Sequence, residues 1–367
     1  MVESLHMKAP RGEHPTHGPG SSALPRIALT MGDPAGIGPE IVLKALKDPH
    51  VLKESRLLVV GHRDWLAETA HSLGLVASFS RLHTVRPKGE NRLHKIPSPA
   101  LWHEGETRLR GIRVGETSAS AGKASLTYVR RAARLALSGQ VDAVVTAPIH
   151  KVSWDLAGID CPGHTEFLAD LCQARDYMMA FFIRQGWIGL VTTHLPLSKV
   201  SGAISTQAVL SKLRLLDGCL RDLGQKDSSI GVCALNPHSG ESGLLGPEEE
   251  RKILPAVRQA TREGISVQGP FPADALFARP RRFPAILAMY HDQGLIAAKV
   301  LGRGKAVNVT LGLPFVRTSP AHGTAFDITG QGKADPEGLI AALRLASRLT
   351  LRRARHLRRE KGPSVRP

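Results

Sequence analysis

Residues 27–47, IALTMGDPAGIGPEIVLKALK, pass from a short apolar run through a glycine- and proline-rich turn into apolar residues at helical spacing. That order reads as strand, turn and helix. It recurs as LLVVG (57–61) before DWLAETAHSL (64–73), and the alternation continues with the helical SLTYVRRAARLALSG (125–139) before VDAVVTAP (141–148). Farther on stand the apolar runs MMAFFI (178–183), WIGLVTTH (187–194), SIGVCALNP (229–237), PAILAMY (284–290) and VNVTLGLP (307–314). Strands alternating with helices predict parallel pairing through crossover helices. Helices are expected from Thr206 to Leu223, near Pro336 to Arg359, and over 247–264, where Pro247 suits a first turn and Glu248, Glu249 and Glu250 face the positive end of the dipole. GDPAGIG lacks the G-x-G-x-x-G spacing, which argues against a standard Rossmann site.

A chain of 367 residues, 42% hydrophobic, exceeds one comfortable core. The expected architecture is two α/β/α lobes with a central cleft. Residues 1–25, rich in Pro, Gly, Ser and His, read as a disordered leader. Residues 26–145 with 280–350 are expected to form a cofactor-side lobe, 146–279 a second lobe, and 351–367 a basic tail. No apolar run is long enough to span a membrane and no secretory signal is evident, so the expected setting is the cytoplasm. Cys161, Cys172, Cys219 and Cys233 show no C-x-x-C spacing and read as buried free thiols. The formal charge of +17 raises nucleic acid as a partner. Part of the excess sits in the tail, aromatics are scarce and no reader motif appears, so neither a nucleic-acid nor a membrane partner is expected.

Polar loops follow the expected strands: MGDPAGIGPE, TAPIHK, TTHLPL, LNPHSGESG and YHDQGL. In open α/β sheets ligands bind at the carboxyl ends of parallel strands, so these loops are expected to meet at one cleft edge. His194, His238 and His291 each follow an apolar run. Three imidazoles at equivalent positions predict an open site for a divalent cation, and nitrogen donors favour zinc or a similar metal over magnesium. For a phosphate or carboxylate the candidates are His164, Thr165, Lys299, Asn308 and Arg317. Thr165 is placed to cap a helix starting at Glu166, and Arg317 after an apolar run needs an acidic partner that a ligand would supply.

The motifs MGDPAGIGPE (31–40), VTAPIHK (145–151), GHTEFLA (163–169), TTHLPL (192–197), LNPHSGESG (235–243), GPFPADALF (269–277), AMYHDQGL (288–295), VNVTLGLPFVRTS (307–319) and HGTAFDITGQGKAD (322–335) closely resemble those of the 4-hydroxythreonine-4-phosphate dehydrogenase family, in order from about Arg26 to Arg348. Two of them also resemble the isopropylmalate and isocitrate dehydrogenases. The resemblance implies an isopropylmalate-dehydrogenase-like fold and a homodimer with its active site near the subunit interface. It implies NAD-dependent oxidation of 4-phosphooxy-L-threonine at C3, the β-keto acid losing carbon dioxide to give 3-amino-2-oxopropyl phosphate on the way to pyridoxal phosphate. The metal (zinc, or magnesium or cobalt) would sit on His194, His238 and His291, and the substrate on His164, Thr165, Lys299, Asn308 and Arg317. The adenosine loop makes Gly323, Thr324 and Asp327 the cofactor contacts, with the Asp327 carboxylate favouring NAD over NADP. Asp274, Lys299 and Asp292 are the candidates for general base. The chain departs from the family at Ala321, where an aspartate is usual, and at Ser239 and Ser242, where alanine and glycine are common. Close relatives oxidise D-threonate or D-erythronate 4-phosphate, the alternative substrate class.

Overall fold

The computed structural model describes residues 24–85, 96–105, 109 and 111–360. Its strands are β1 (Arg26–Thr30), β2 (Arg56–Gly61), β3 (His83–Val85), β4 (Ala100–His103), β5 (Ala143–Thr146), β6 (Met178–Ile183), β7 (Gly186–Leu190), β8 (Ile230–Cys233), β9 (Val267–Phe271), β10 (Ala285–Ala288), β11 (Val307–Leu311) and β12 (Val316–Pro320). They form one sheet in the order β3-β4-β2-β1-β5-β12-β11-β6-β7-β10-β8-β9. Its inner strands are near-continuous apolar runs because helices cover both faces; β5 is buried throughout.

Pairing is parallel from β3 to β12 and again from β7 to β9, but the steps β12-β11, β11-β6 and β6-β7 are antiparallel. Three reversals make the two parallel blocks run in opposite directions, so their carboxyl ends leave opposite edges of the sheet. The strand ends therefore do not share one sheet edge as expected, although the loops after β5, β7 and β10 do meet at one cleft. The strands also divide residues 280–350 differently from the expected lobes: β10 lies between β7 and β8, whereas β12 lies beside β5. The reason is that the short β10 is flanked on both sides by parallel partners that satisfy its backbone.

The helix Glu337–Glu360 packs over β12, β5 and β11 and meets the helix Thr206–Asp222. Residues 351–360, expected in a tail, continue that helix, because Leu345, Ala346 and Leu349 seat its preceding turns in the core. Residues 361–367, and the expected leader except Leu24 and Pro25, lie outside the described residues. The helix expected over 247–264 forms as a wider turn, Glu249–Ile253, running into Leu254–Arg262. Pro255 has no N–H to donate to the carbonyl four residues back, which breaks the regular ladder there. All four cysteines are free thiols, with Cys219 and Cys233 buried and Cys161 and Cys172 half-buried.

The turn after β1 acts as a brace. The Asp33 N–H donates to the Pro148 carbonyl at 2.9 Å, and the Ile37 N–H to the Thr324 carbonyl at 3.0 Å. Gly32 has φ +78°, and a Cβ there would sit 2.4 Å from the Pro148 oxygen, so only glycine permits this approach. The turn thereby ties the loop after β5 to the loop carrying residues 322–335.

Candidate active site

In register across the central antiparallel strands, Phe181, Asn308 and Ser319 form one row and Met179, Thr310 and Arg317 the next. Of these, Phe181, Asn308, Ser319, Met179 and Arg317 floor a cleft of about 200 Å³. The loop after β5 walls it with Thr146, Pro148 and Lys151, and His164, Thr165 and Glu166 close another side. His194 and His291 enter from the opposite block, and Ala321, His322 and Gly323 complete the rim.

Arg317 is 1% exposed. Its Nη1 donates to Thr310 Oγ1 at 3.1 Å and its Nη2 to Thr146 Oγ1 at 2.7 Å, while Nε has no partner. Burial lowers its pKa to about 10 although Glu166 pulls the other way. Among the described residues no carboxylate pairs with it. A buried guanidinium whose hydrogen-bond partners are hydroxyls, with no carboxylate in direct contact, is a strong receptor for a carboxylate or phosphate.

Thr165 does not cap its helix. The helix His164–Leu171 begins after Gly163 with no side-chain cap, and Thr165 Oγ1 lies 3.3 Å from Thr310 Oγ1 instead. Its hydroxyl therefore belongs to the anion pocket, and the helix's first amides stay free of side-chain partners. Burial pushes the His164 imidazole well below its ordinary value, and the Arg317 charge adds to this. His164 Nε2 and Asn308 Oδ1 are buried without partners. Such orphaned polar atoms beside Arg317 fit a polar ligand that completes their hydrogen bonds.

The histidine loops are stitched together by side chains. The Thr192 N–H and Oγ1 both donate to the Met289 carbonyl, at 3.1 and 2.9 Å. Gln293 accepts from the Met289 N–H at 2.7 Å and donates to the Ala234 carbonyl at 2.8 Å. The exits of β7, β10 and β8 are thus fixed to one another. The His194 and His291 rings come to 5.8 Å between centroids, the donor chemistry of a borderline divalent cation. His194 Nδ1 lies 3.0 Å from Glu166 Oε1 and His291 Nδ1 lies 2.7 Å from Asp292 Oδ1. Burial pushes the Glu166 carboxyl up, yet hydrogen bonds, that of His194 first, and the charge of Lys151 hold it below the usual range.

His238 stands at the same sheet edge but does not join the pair. Among the described residues no three His, Cys, Asp or Glu side chains are grouped to hold a metal. In its loop His238, Ser239, Gly240, Glu241 and Ser242 all take positive φ, a left-handed turn. Buried Glu249 anchors that turn by accepting from the Leu235 and Asn236 N–H groups at 2.8 and 2.7 Å.

The general-base candidates are not in the cleft of one chain. Asp274 and Asp292 line a separate cavity of about 360 Å³ with Phe277, Ile296 and Val300. Lys299 is exposed in the helix His291–Gly302, eight residues past His291, or about 12 Å along the axis. Gly323 lines the cleft and its Cβ direction is open, Thr324 is buried against the Gly36 turn, and Asp327 is exposed. Among the described residues Asp327 caps nothing; the hydroxyl bond in that turn is from Thr329 to the Ala325 carbonyl. The sequence reading did not single out Thr146, Lys151, Glu166 or Thr310. Thr146 and Thr310 are ordinary strand residues until the register places them beside Arg317, whereas Lys151 and Glu166 stood inside quoted motifs.

A family model described as pyridoxal phosphate biosynthetic protein PdxA matches residues 53–346. A 4-hydroxythreonine-4-phosphate dehydrogenase of Synechocystis sp. is 42% identical over 352 residues, covering 91% of this chain and 98% of its own. A D-threonate 4-phosphate dehydrogenase of Salmonella typhimurium is 40% identical over 330 residues, covering 88% and 98%. The crystal structure of a 4-hydroxythreonine-4-phosphate dehydrogenase from Klebsiella pneumoniae superposes with a TM-score of 0.78 at 37% identity, covering 90% of this chain and 99% of that one.

Proposed function

The chain belongs to the PdxA family of pyridoxal phosphate biosynthetic proteins, and from that premise we propose that it oxidises 4-phosphooxy-L-threonine at C3 with NAD, giving a β-keto acid that decarboxylates to 3-amino-2-oxopropyl phosphate. The observation that carries this reading is Arg317, buried in the cleft with hydroxyl partners alone. An anionic substrate neutralises it, with His164, Thr165 and Asn308 completing the contacts.

His194 and His291 would hold a divalent cation, zinc first, with magnesium or cobalt as alternatives, and His238 would complete the set only in an assembly that brings it to the pair. NAD supplies the hydride acceptor, and the cation supplies positive charge that lowers the pKa of the substrate hydroxyl and stabilises the oxygen of the product ketone. Gly323, Thr324 and Asp327 are assigned to the cofactor. His164, held neutral by burial, offers Nε2 to the substrate without adding charge. Asp274, Lys299 and Asp292 keep their candidacy for proton transfer only in an assembly that brings them to a cleft. A homodimer with the active site near its interface meets that need. It is supported by apolar side chains exposed beside each histidine: Leu195 and Leu197 after His194, Leu244 and Leu245 after His238, and Ile296 and Val300 on the helix begun by His291. Among the described residues no helix is long and apolar enough to cross a membrane.

The test is NADH formation from 4-phosphooxy-L-threonine, run beside D-threonate and D-erythronate 4-phosphate. The second substrate class is kept because the Salmonella D-threonate 4-phosphate dehydrogenase is nearly as similar as the Synechocystis protein. A large preference for a hydroxy acid overturns the first reading in favour of the second.

A further inference from the structure

A neutral imidazole has one N–H and one lone pair, and the partner of one nitrogen decides what the other can do. His194 Nδ1 lies 3.0 Å from Glu166 Oε1, and the two residues are 28 positions apart. A carboxylate only accepts, so in this pair Nδ1 carries the hydrogen and Nε2 the lone pair. The acceptor is firmly held: the Glu166 side chain is 18% exposed, in the first turn of a helix whose Leu168 and Ala169 are buried. That same helix carries His164 and Thr165 into the anion pocket. His291 differs, because its partner is the adjacent Asp292, whose side chain is 73% exposed. Water competes for Asp292 far more than for Glu166.

We infer that Glu166 is a positioning residue: its carboxylate holds His194 as the Nδ1–H tautomer and turns Nε2, as a lone-pair donor, toward the cleft. The consequence for metal binding rests on the proposed reading of His194 as a cation ligand; the tautomer does not. A carboxylate behind a ligating histidine orients the ring and raises its basicity, and losing one typically weakens metal binding about 10- to 100-fold. One short helix would then set the substrate contacts and the metal ligand together, linking the two parts of the site.

The experiment is nitrogen–proton correlation NMR of the full chain labelled with 15N-histidine and freed of metal, the His194 signals assigned by their loss in His194→Gln. The wild type is expected to show Nδ1 protonated and Nε2 bare. Glu166→Gln, whose amide carbonyl still accepts, keeps that form, and Glu166→Ala moves the population toward Nε2–H. Zinc affinity, read by competition with a chromophoric chelator, is expected to fall about 10- to 100-fold in Glu166→Ala and much less in Glu166→Gln. A wild-type His194 protonated at Nε2 overturns the inference without recourse to any variant, so a poorly folding Glu166→Ala does not shelter it. Unchanged tautomer and affinity in a folded Glu166→Ala overturn it equally. If the tautomer responds but the wild type binds no zinc, the positioning role stands and the metal reading fails.

Discussion

Arg317 on β12 donates through Nη2 to Thr146 Oγ1 at the end of β5, a 2.7 Å bond between residues 171 positions apart. The bond aims the buried guanidinium into the cleft and leaves its charge for a ligand. Arg317→Gln is expected to lower kcat/KM by about a hundredfold or more, because losing a buried charge partner costs roughly 2–5 kcal/mol. Thr146→Val removes the aim but not the charge, and its loss is expected to be about tenfold. Steady-state kinetics beside circular dichroism checks both, and an Arg317→Gln enzyme with normal kcat/KM contradicts the anion assignment.

Metal removal tests the histidine set. Dialysis against a chelator is expected to reduce NADH formation by at least about a hundredfold, with zinc restoring it in the wild type. His194→Ala, His291→Ala and His238→Ala are expected to stay inactive on readdition. Full turnover by the stripped protein sinks the metal reading, and a fully active His238→Ala removes that residue from the set.

His164 predicts a pH dependence of stability in the ligand-free protein. Burial holds its folded-state pKa well below the unfolded value. Below about pH 6.5 the unfolded chain therefore binds a proton that the folded chain refuses, so stability falls as pH falls, by up to about 1.4 kcal/mol per pH unit. Above that pH both states are neutral and the effect vanishes. Urea unfolding of wild type and His164→Gln from pH 7.5 to 5 is expected to show a shallower decline in the variant; parallel curves contradict the assignment.

Ser242 stands where the family commonly has glycine, and it takes φ 54° in the left-handed turn after β8. A residue with a Cβ is disfavoured there by roughly 1–2 kcal/mol, part of which glycine's greater unfolded-state entropy offsets. Ser242→Gly is expected to stabilise the chain by up to about 1 kcal/mol in urea unfolding. A destabilised variant means that the serine makes a compensating contact.

Asp327 tests cofactor choice. Exposed beside a loop whose Gly323 lines the cleft, its carboxylate is expected to favour a ribose diol and repel a 2′-phosphate. Asp327→Ser should lower kcat/KM for NAD by about tenfold and NADP turnover much less. Equal losses with both cofactors contradict the assignment.

Strand and helix runs were legible from local chemistry alone, because β5 reads as an apolar strand and Thr206–Asp222 as an amphipathic helix whatever their neighbours. The motifs likewise carried the family, and with it the residues His164, Thr165, Asn308 and Arg317 that the cleft brings together. Sheet direction was not legible. Antiparallel steps at β12-β11, β11-β6 and β6-β7 depend on which backbones meet, and they turn the expected single edge into a cleft across the sheet's face.

The sequence by itself determined the alternating elements, the family and the anion-binding residue types, since these follow from side-chain spacing and identity along the chain. Only the tertiary structure decided that Thr146 and Thr310 flank Arg317, that Glu166 stands behind His194, and that His194 and His291 line the cleft without His238. Those relationships are distances across the fold. The His194–Glu166 and Arg317–Thr146 contacts reach across 28 and 171 positions and are set by register and packing, which no local pattern encodes.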